Sequence, residues 1–203
     1  MAAAPALAPP HEYPTFGLPS GSVRGILSVL ICSFFWIVLL HPAGSVVTVP
    51  LGHFFLLTLV FLAFASHPGT DSRTSAVLPW LMRVIFVGGS AAVVGFAIWT
   101  DTHVTAARLT PGAAEIAQWP VLLGCLAGGF GFGLFLRFVI GRNHNLFLTI
   151  RAWVGMVAIL LLCVETILQF LVLPNMAEKN LEALKIWEGI IIAAVAGYFG
   201  SRA

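Results

Sequence analysis

Apolar positions along the chain gather into six runs, Ser22 to Leu40, Val46 to Ala65, Met82 to Trp99, Val121 to Ile140, Ala152 to Leu173 and Ile186 to Phe199. Each is bounded by Pro, Gly, Trp or a basic residue. Four of them have the ~20 residues that a helix rising about 1.5 Å per residue needs to cross a hydrocarbon core of about 30 Å. The pattern predicts an all-α integral membrane protein: a bundle of six transmembrane helices over 21–203, preceded by a disordered Ala/Pro-rich tail over 1–20.

The sixth run is the shortest, 14 residues or about 21 Å of helix. The preceding NMAEKNLEALK holds strong helix formers and places Glu182 and Lys185 at i, i+3, so one helix can start near Met176, after Pro174, and run to Phe199. If the last run is instead re-entrant, the bundle has five spans and the C terminus lies outside.

Composition excludes a soluble fold. The chain is 59% hydrophobic and 9% charged, against about 25% charged in soluble domains, which leaves too little polar surface to coat an exterior. A net charge of +2 without a basic cluster offers no nucleic-acid surface. The tail MAAAPALAPPHEYPTFGLPS contains no Lys or Arg and lacks the basic start of a secretory signal. It reads as a linker, since no PxxP core is flanked by basic residues. HPAG after the first run is a poor cleavage site, so that span is expected to be retained as a signal anchor.

Seven of the ten Lys and Arg residues fall on the side of the N terminus, namely Arg24, Arg73, Arg83, Arg137, Arg142, Arg151 and Arg202. Arg108, Lys179 and Lys185 fall on the other. Because cytoplasmic loops retain positive charge, both termini are expected to be cytoplasmic. Tryptophans agree: Trp80 and Trp153 lie at cytoplasmic ends, Trp99, Trp119 and Trp187 at outer ends, and Trp36 one turn inside an outer end. Indoles prefer the headgroup level, where the ring is buried and the N–H stays wet.

The fourth run carries two offset GxxxG patterns, Gly124 with Gly128 and Gly129 with Gly133. Such spacing flattens a helix face so that another backbone can approach closely, and the fourth helix is expected to be central. The third run offers a partner surface in Gly88, Ala92 and Gly95, the sixth another in Gly189, Ala193 and Gly197. These faces are either consumed within one chain or presented to a second copy. Between the third and fourth runs, DTHVTAARLTPGAAEIAQWP is expected to hold a short interfacial helix, with Thr110 as N-cap and Pro111 at its first position.

Ionisable groups inside a membrane are costly unless paired or hydrated. The strong candidate is Glu165, about 21 Å of helix beyond Arg151. Gln169 follows at i+4 on the same helix face. This polar stripe is expected to point into the bundle, either as a proton acceptor or cation ligand, or as a hydrogen-bonding group toward a Ser or Thr on a neighbouring helix.

His41, His53 and His103 lie toward the outer side with Asp101 and Glu115, but no HxH, HxxxH or HExxH pair occurs and no metal site is expected. His53 reads as a polar residue near the outer end of the second span, His144 as a solvated loop residue. Cys32, Cys125 and Cys163 lie within the runs, without CxxC spacing, so neither a disulfide framework nor attached haem is implied. Phosphate-binding loops, GxSxG elbows and paired-carboxylate signatures are missing, and no enzyme or cofactor is expected. No internal repeat is evident. The segments GLPSGSVRGIL and GYFGSR resemble short sequences at the ends of other small bacterial membrane proteins, which suggests a cell inner membrane.

Two functions are compatible with these features. The first is a non-enzymatic structural or accessory subunit, packing in the lipid bilayer with copies of itself or with other membrane subunits. The alternative is a small ion or proton-coupled solute channel or transporter with Glu165 and Gln169 lining the pathway.

Overall fold

The computed structural model describes residues 22–41, 48–65, 77–141, 145–175 and 181–202. The tail over 1–20, together with Arg73, Arg142, His144, Met176, Glu178 and Lys179, lies outside the described residues. Within them, every regular element is helical: α1 (Ser22–Leu40), α2 (Leu51–Ala65), α3 (Val77–Arg83), a π-helical segment (Val84–Gly88), α4 (Gly89–Thr100), α5 (Thr102–Leu109), α6 (Ala113–Ile116), α7 (Trp119–Ile140), α8 (Asn145–Ile167), a second π-helical segment (Leu168–Val172) and α9 (Leu181–Gly200). Five stretches are long and apolar enough to cross a membrane: Ser22–Leu40, Trp80–Thr100, Trp119–Ile140, Asn145–Asn175 and Glu182–Gly200. The chain is an all-helical, multi-pass membrane protein.

The short helix is not the last one. Among the described residues α9 has 20 residues, about 30 Å, whereas α2 has 15. Thr48, Val49 and Pro50 belong to no helix although they fall in the second apolar run. Pro50 has no N–H and disfavours helical geometry at Val49. Val49 instead donates its N–H to the Arg108 carbonyl at 3.0 Å.

Two helices form the centre. On α1, Leu27, Ile31, Phe34 and Val38 are buried at helical spacing, and on α9 Ile191, Ile192, Val195 and Tyr198 are buried likewise. The expectation that α7 is central is wrong. Little of α7 is buried, and Val121, Phe132, Phe135 and Phe138 face outward. Its glycines let one face approach a neighbour closely, while the large apolar residues around the rest of the helix remain directed at lipid.

That one face makes the most extensive helix pairing in the bundle, with α9. A Cβ on Gly129 would strike the Ala193 carbonyl, one on Gly133 the Gly197 carbonyl, and one on Gly200 the Phe130 carbonyl. Gly189 lies beside Cys125. The other pattern is unused here: among the described residues nothing approaches a Cβ position on Gly124 or Gly128 within 4 Å. Nor is the third span a partner for α7. Among the described residues a Cβ on Gly88 would meet only Val84, on the preceding turn, and one on Gly95 nothing within 4 Å. The third span uses Gly89 instead, where an added Cβ would stand 3.2 Å from the Trp36 ring, and Trp36 Nε1 donates to Ser90 Oγ at 3.0 Å.

The connector over 101–118 contains two short helices rather than one. Asp101 caps α5 by accepting the Val104 N–H at 3.0 Å. Thr110 does not start a helix; it ends α5 at φ −95°, ψ 108°, because a residue before proline is pushed out of the helical region. In the last turn of α5, Arg108 turns inward and is 6% exposed. Its Nη1 donates to the carbonyls of Val38 (3.1 Å), Leu39 (3.1 Å) and His41 (2.7 Å). The final carbonyls of a helix lack partners within it, and Arg108 supplies one for the end of α1.

Three substitutions test this packing by thermal unfolding in detergent. Gly133→Leu forces α7 off α9 and costs about 3 kcal/mol or more, while Gly128→Leu leaves the unfolding temperature within a degree or two of wild type. Arg108→Met, similar in length but without donors, costs about 2–3 kcal/mol.

Candidate functional site

The site grows from the start of α2. The first N–H groups of a helix have no partner within it and carry the positive end of its dipole. Here they meet acids: the Leu51 N–H bonds Glu115 from α6, and the Gly52 N–H bonds Glu188 from α9. Glycine at position 52 leaves room for this approach. A Cβ there would stand 3.1 Å from Glu188 Oε2 and 3.1 Å from Ile192 Cδ1.

Glu165 completes the group from α8. It is 6% exposed and accepts two hydrogen bonds, from Gln169 Nε2 to Oε1 (2.9 Å) and from Trp187 Nε1 to Oε2 (2.5 Å). Glu165 and Gln169 do share a face that points inward. The partner across the helix interface, however, is an indole rather than a Ser or Thr. Trp187 therefore departs from its expected role, since its N–H is spent on a buried carboxylate instead of water. Gln169 belongs to the π-helical segment that continues α8, and such widened turns recur at functional sites.

His53 forms another wall. Its Nε2 lies 2.7 Å from the Ile31 carbonyl and therefore carries the proton, and its ring centroid is 4.4 Å from that of Phe34. Pro50, Gly52, His53, Glu165, Glu188 and Ile191 help to line a half-open cavity of ≈ 10 Å³, room for about one water molecule. The charges that act on Glu188 are those of Glu165 and Glu115. The three carboxyls thus form one electrostatic group although they come from α6, α8 and α9.

The remaining outer residues do not join this group. Asp101 is occupied as a cap, His103 is exposed, and His41 stacks on Phe170 with centroids 6.3 Å apart. Among the described residues no three His, Cys, Asp or Glu side chains converge as a metal site. Cys32, Cys125 and Cys163 are free thiols.

Sequence reading missed Glu188, Trp187 and Glu115 as site residues. Glu188 follows Glu178, Lys179, Glu182 and Lys185 closely in sequence and so does not stand out as a lone charge. Its spacing was informative: Glu188 precedes Ile191, Ile192 and Val195 by three, four and seven residues, the period of the buried face of α9. Glu115 carried no comparable signal, because its position depends on how α5 and α6 fold back over α2.

Burial pushes the Glu115 carboxyl above its ordinary value, and the Leu51 N–H draws it partly back. A raised carboxyl binds its proton more tightly in the folded state, so the stability contributed by this group falls as pH rises from its ordinary value of 4.5 through the raised one. Comparing unfolding temperatures across that range, Glu115→Gln should flatten this decline relative to wild type. At the next residue of α2, Gly52→Val should displace Glu188 and lower the unfolding temperature more than Gly52→Ala.

Compared with known proteins, the chain matches no family model, no curated protein and no solved structure.

Proposed function

We propose that the protein is a small proton-coupled transporter or channel in which Glu165 and Glu188 bind the ion and Gln169 adjusts the site. One observation carries this reading. Two carboxyls from neighbouring helices share an apolar cavity with the N-terminal amides of α2, and the charges acting on Glu188 are themselves acidic. Acidic groups gathered in a low-dielectric interior repel one another, and a proton or small cation among them relieves that repulsion. A bundle that only packs is served equally well by apolar side chains at these positions.

The start of α2 supports the same reading, because helix N-termini that reach a polar site inside a bundle are how many transporters bind ions and substrates. Inward of the cavity, Ile31, Val195 and Ala196 are fully buried. This dry layer favours an occluded carrier over an open pore.

The same reading takes six passes, with both termini on the cytoplasmic side of a cell inner membrane. Arg24 near the start of α1 and Arg202 after α9 act on each other, with Arg83 acting on Arg24 as well. Arg151 joins them around Tyr198. Basic residues of four spans therefore gather at one end, and Arg108 at the other.

A second reading, a non-enzymatic accessory subunit, is favoured by the unused Gly124 and Gly128 face of α7. Proton flux into liposomes separates the two. The transporter reading predicts flux in wild type that falls to the level of empty liposomes in Glu165→Gln and in Glu188→Gln, at equal insertion. Absence of flux in wild type favours the accessory subunit.

A further inference from the structure

The α7 and α8 helices follow one another directly, yet they diverge over the face of α9 and touch only slightly. The wedge between them is a lateral groove of ≈ 290 Å³, walled by Phe132 and Leu136 of α7 and Val154 and Val157 of α8. Small residues of α9, Ala193, Ala194 and Gly197, form its floor. This groove lies apart from the carboxyl site, and its two ends differ in chemistry. Toward the end of α9 it is lined by Arg151 and Ser201, with Trp153 of α8 at the same level. Arg151, Arg202 and Arg24 all act electrostatically on Tyr198 beside it, and the Arg151 guanidinium lies 5.8 Å from the Phe147 ring centroid.

We infer that this groove is a binding site for one anionic phospholipid of the adjoining leaflet, an acyl chain lying between α7 and α8 and the phosphate meeting Arg151. The argument rests on width and charge. A helix is about 10 Å across with its side chains and cannot enter a space of this volume, whereas a single hydrocarbon chain can. An apolar slot that opens sideways from a membrane-spanning bundle is filled from the bilayer, not from water. Basic pockets between transmembrane helices select anionic headgroups over zwitterionic ones. A Trp at the rim sets the level at which headgroup and chain meet.

Thermal unfolding in a neutral detergent tests this with phosphatidylglycerol, phosphatidylcholine and glycerol 3-phosphate added separately. The expected result is a rise in Tm of about 4 °C or more with phosphatidylglycerol, and little change with the other two. Arg151→Gln should abolish that preference by removing the charge, and Ala194→Leu by filling the floor of the groove. Each variant's unfolding in detergent alone establishes that it is folded, and if one is not, the other decides. Equal rises with both phospholipids overturn the proposal. So does a rise with glycerol 3-phosphate that matches phosphatidylglycerol, or a preference that survives substitution in a folded variant.

Discussion

A helix that begins inside a bundle exposes amide groups that neither lipid nor an apolar core will bond, and α2 begins in that way. Its first N–H groups are met by Glu115 and Glu188. The last carbonyls of α1 are met by Arg108. A cationic donor thus bonds the end of α1, and acidic acceptors bond the start of α2. The Val49 N–H bond to the Arg108 carbonyl ties the residue just before Pro50 to the backbone of that same arginine. The outer connector is therefore a structural part of the bundle interior, because α5 supplies Arg108 and α6 supplies Glu115.

The position of α9 determines whether this closure succeeds. Gly129 and Gly133 of α7 meet Ala193 and Gly197 of α9 backbone to backbone, and α9 also packs against α8 and α2. That seating brings Glu188 to Gly52 and the Trp187 indole to Glu165 at once. Packing and chemistry are linked through one helix. A shift of α9 by even one residue would carry both side chains away from their partners, since neighbouring residues on a helix point about 100° apart.

Much of the architecture was legible from hydropathy alone. Runs of about 20 apolar residues admit few structures other than spanning helices. The errors arose where local signals competed with tertiary contacts. Pro50 shortened the second span although Val46 to Pro50 are mostly apolar, and Gly124 to Gly133 indicated close packing without saying which of two offset faces was used. Glu165 and Gln169 were visible because a charge and an amide stand out in an apolar run. Glu188 was obscured by its acidic neighbours, and Arg108 resembled any loop cation until the end of α1 was placed beside it.

Amide hydrogen exchange at Leu51 and Gly52, measured in the intact protein in lipid, tests the central claim most directly: that acidic side chains bond the interior end of α2. The account predicts slow exchange at both positions in wild type. In Glu188→Ala it predicts exchange at Gly52 faster by about tenfold or more, the factor that corresponds to losing a hydrogen bond to a charged group. Unchanged exchange at Gly52 in that variant, with the protein folded, would contradict it.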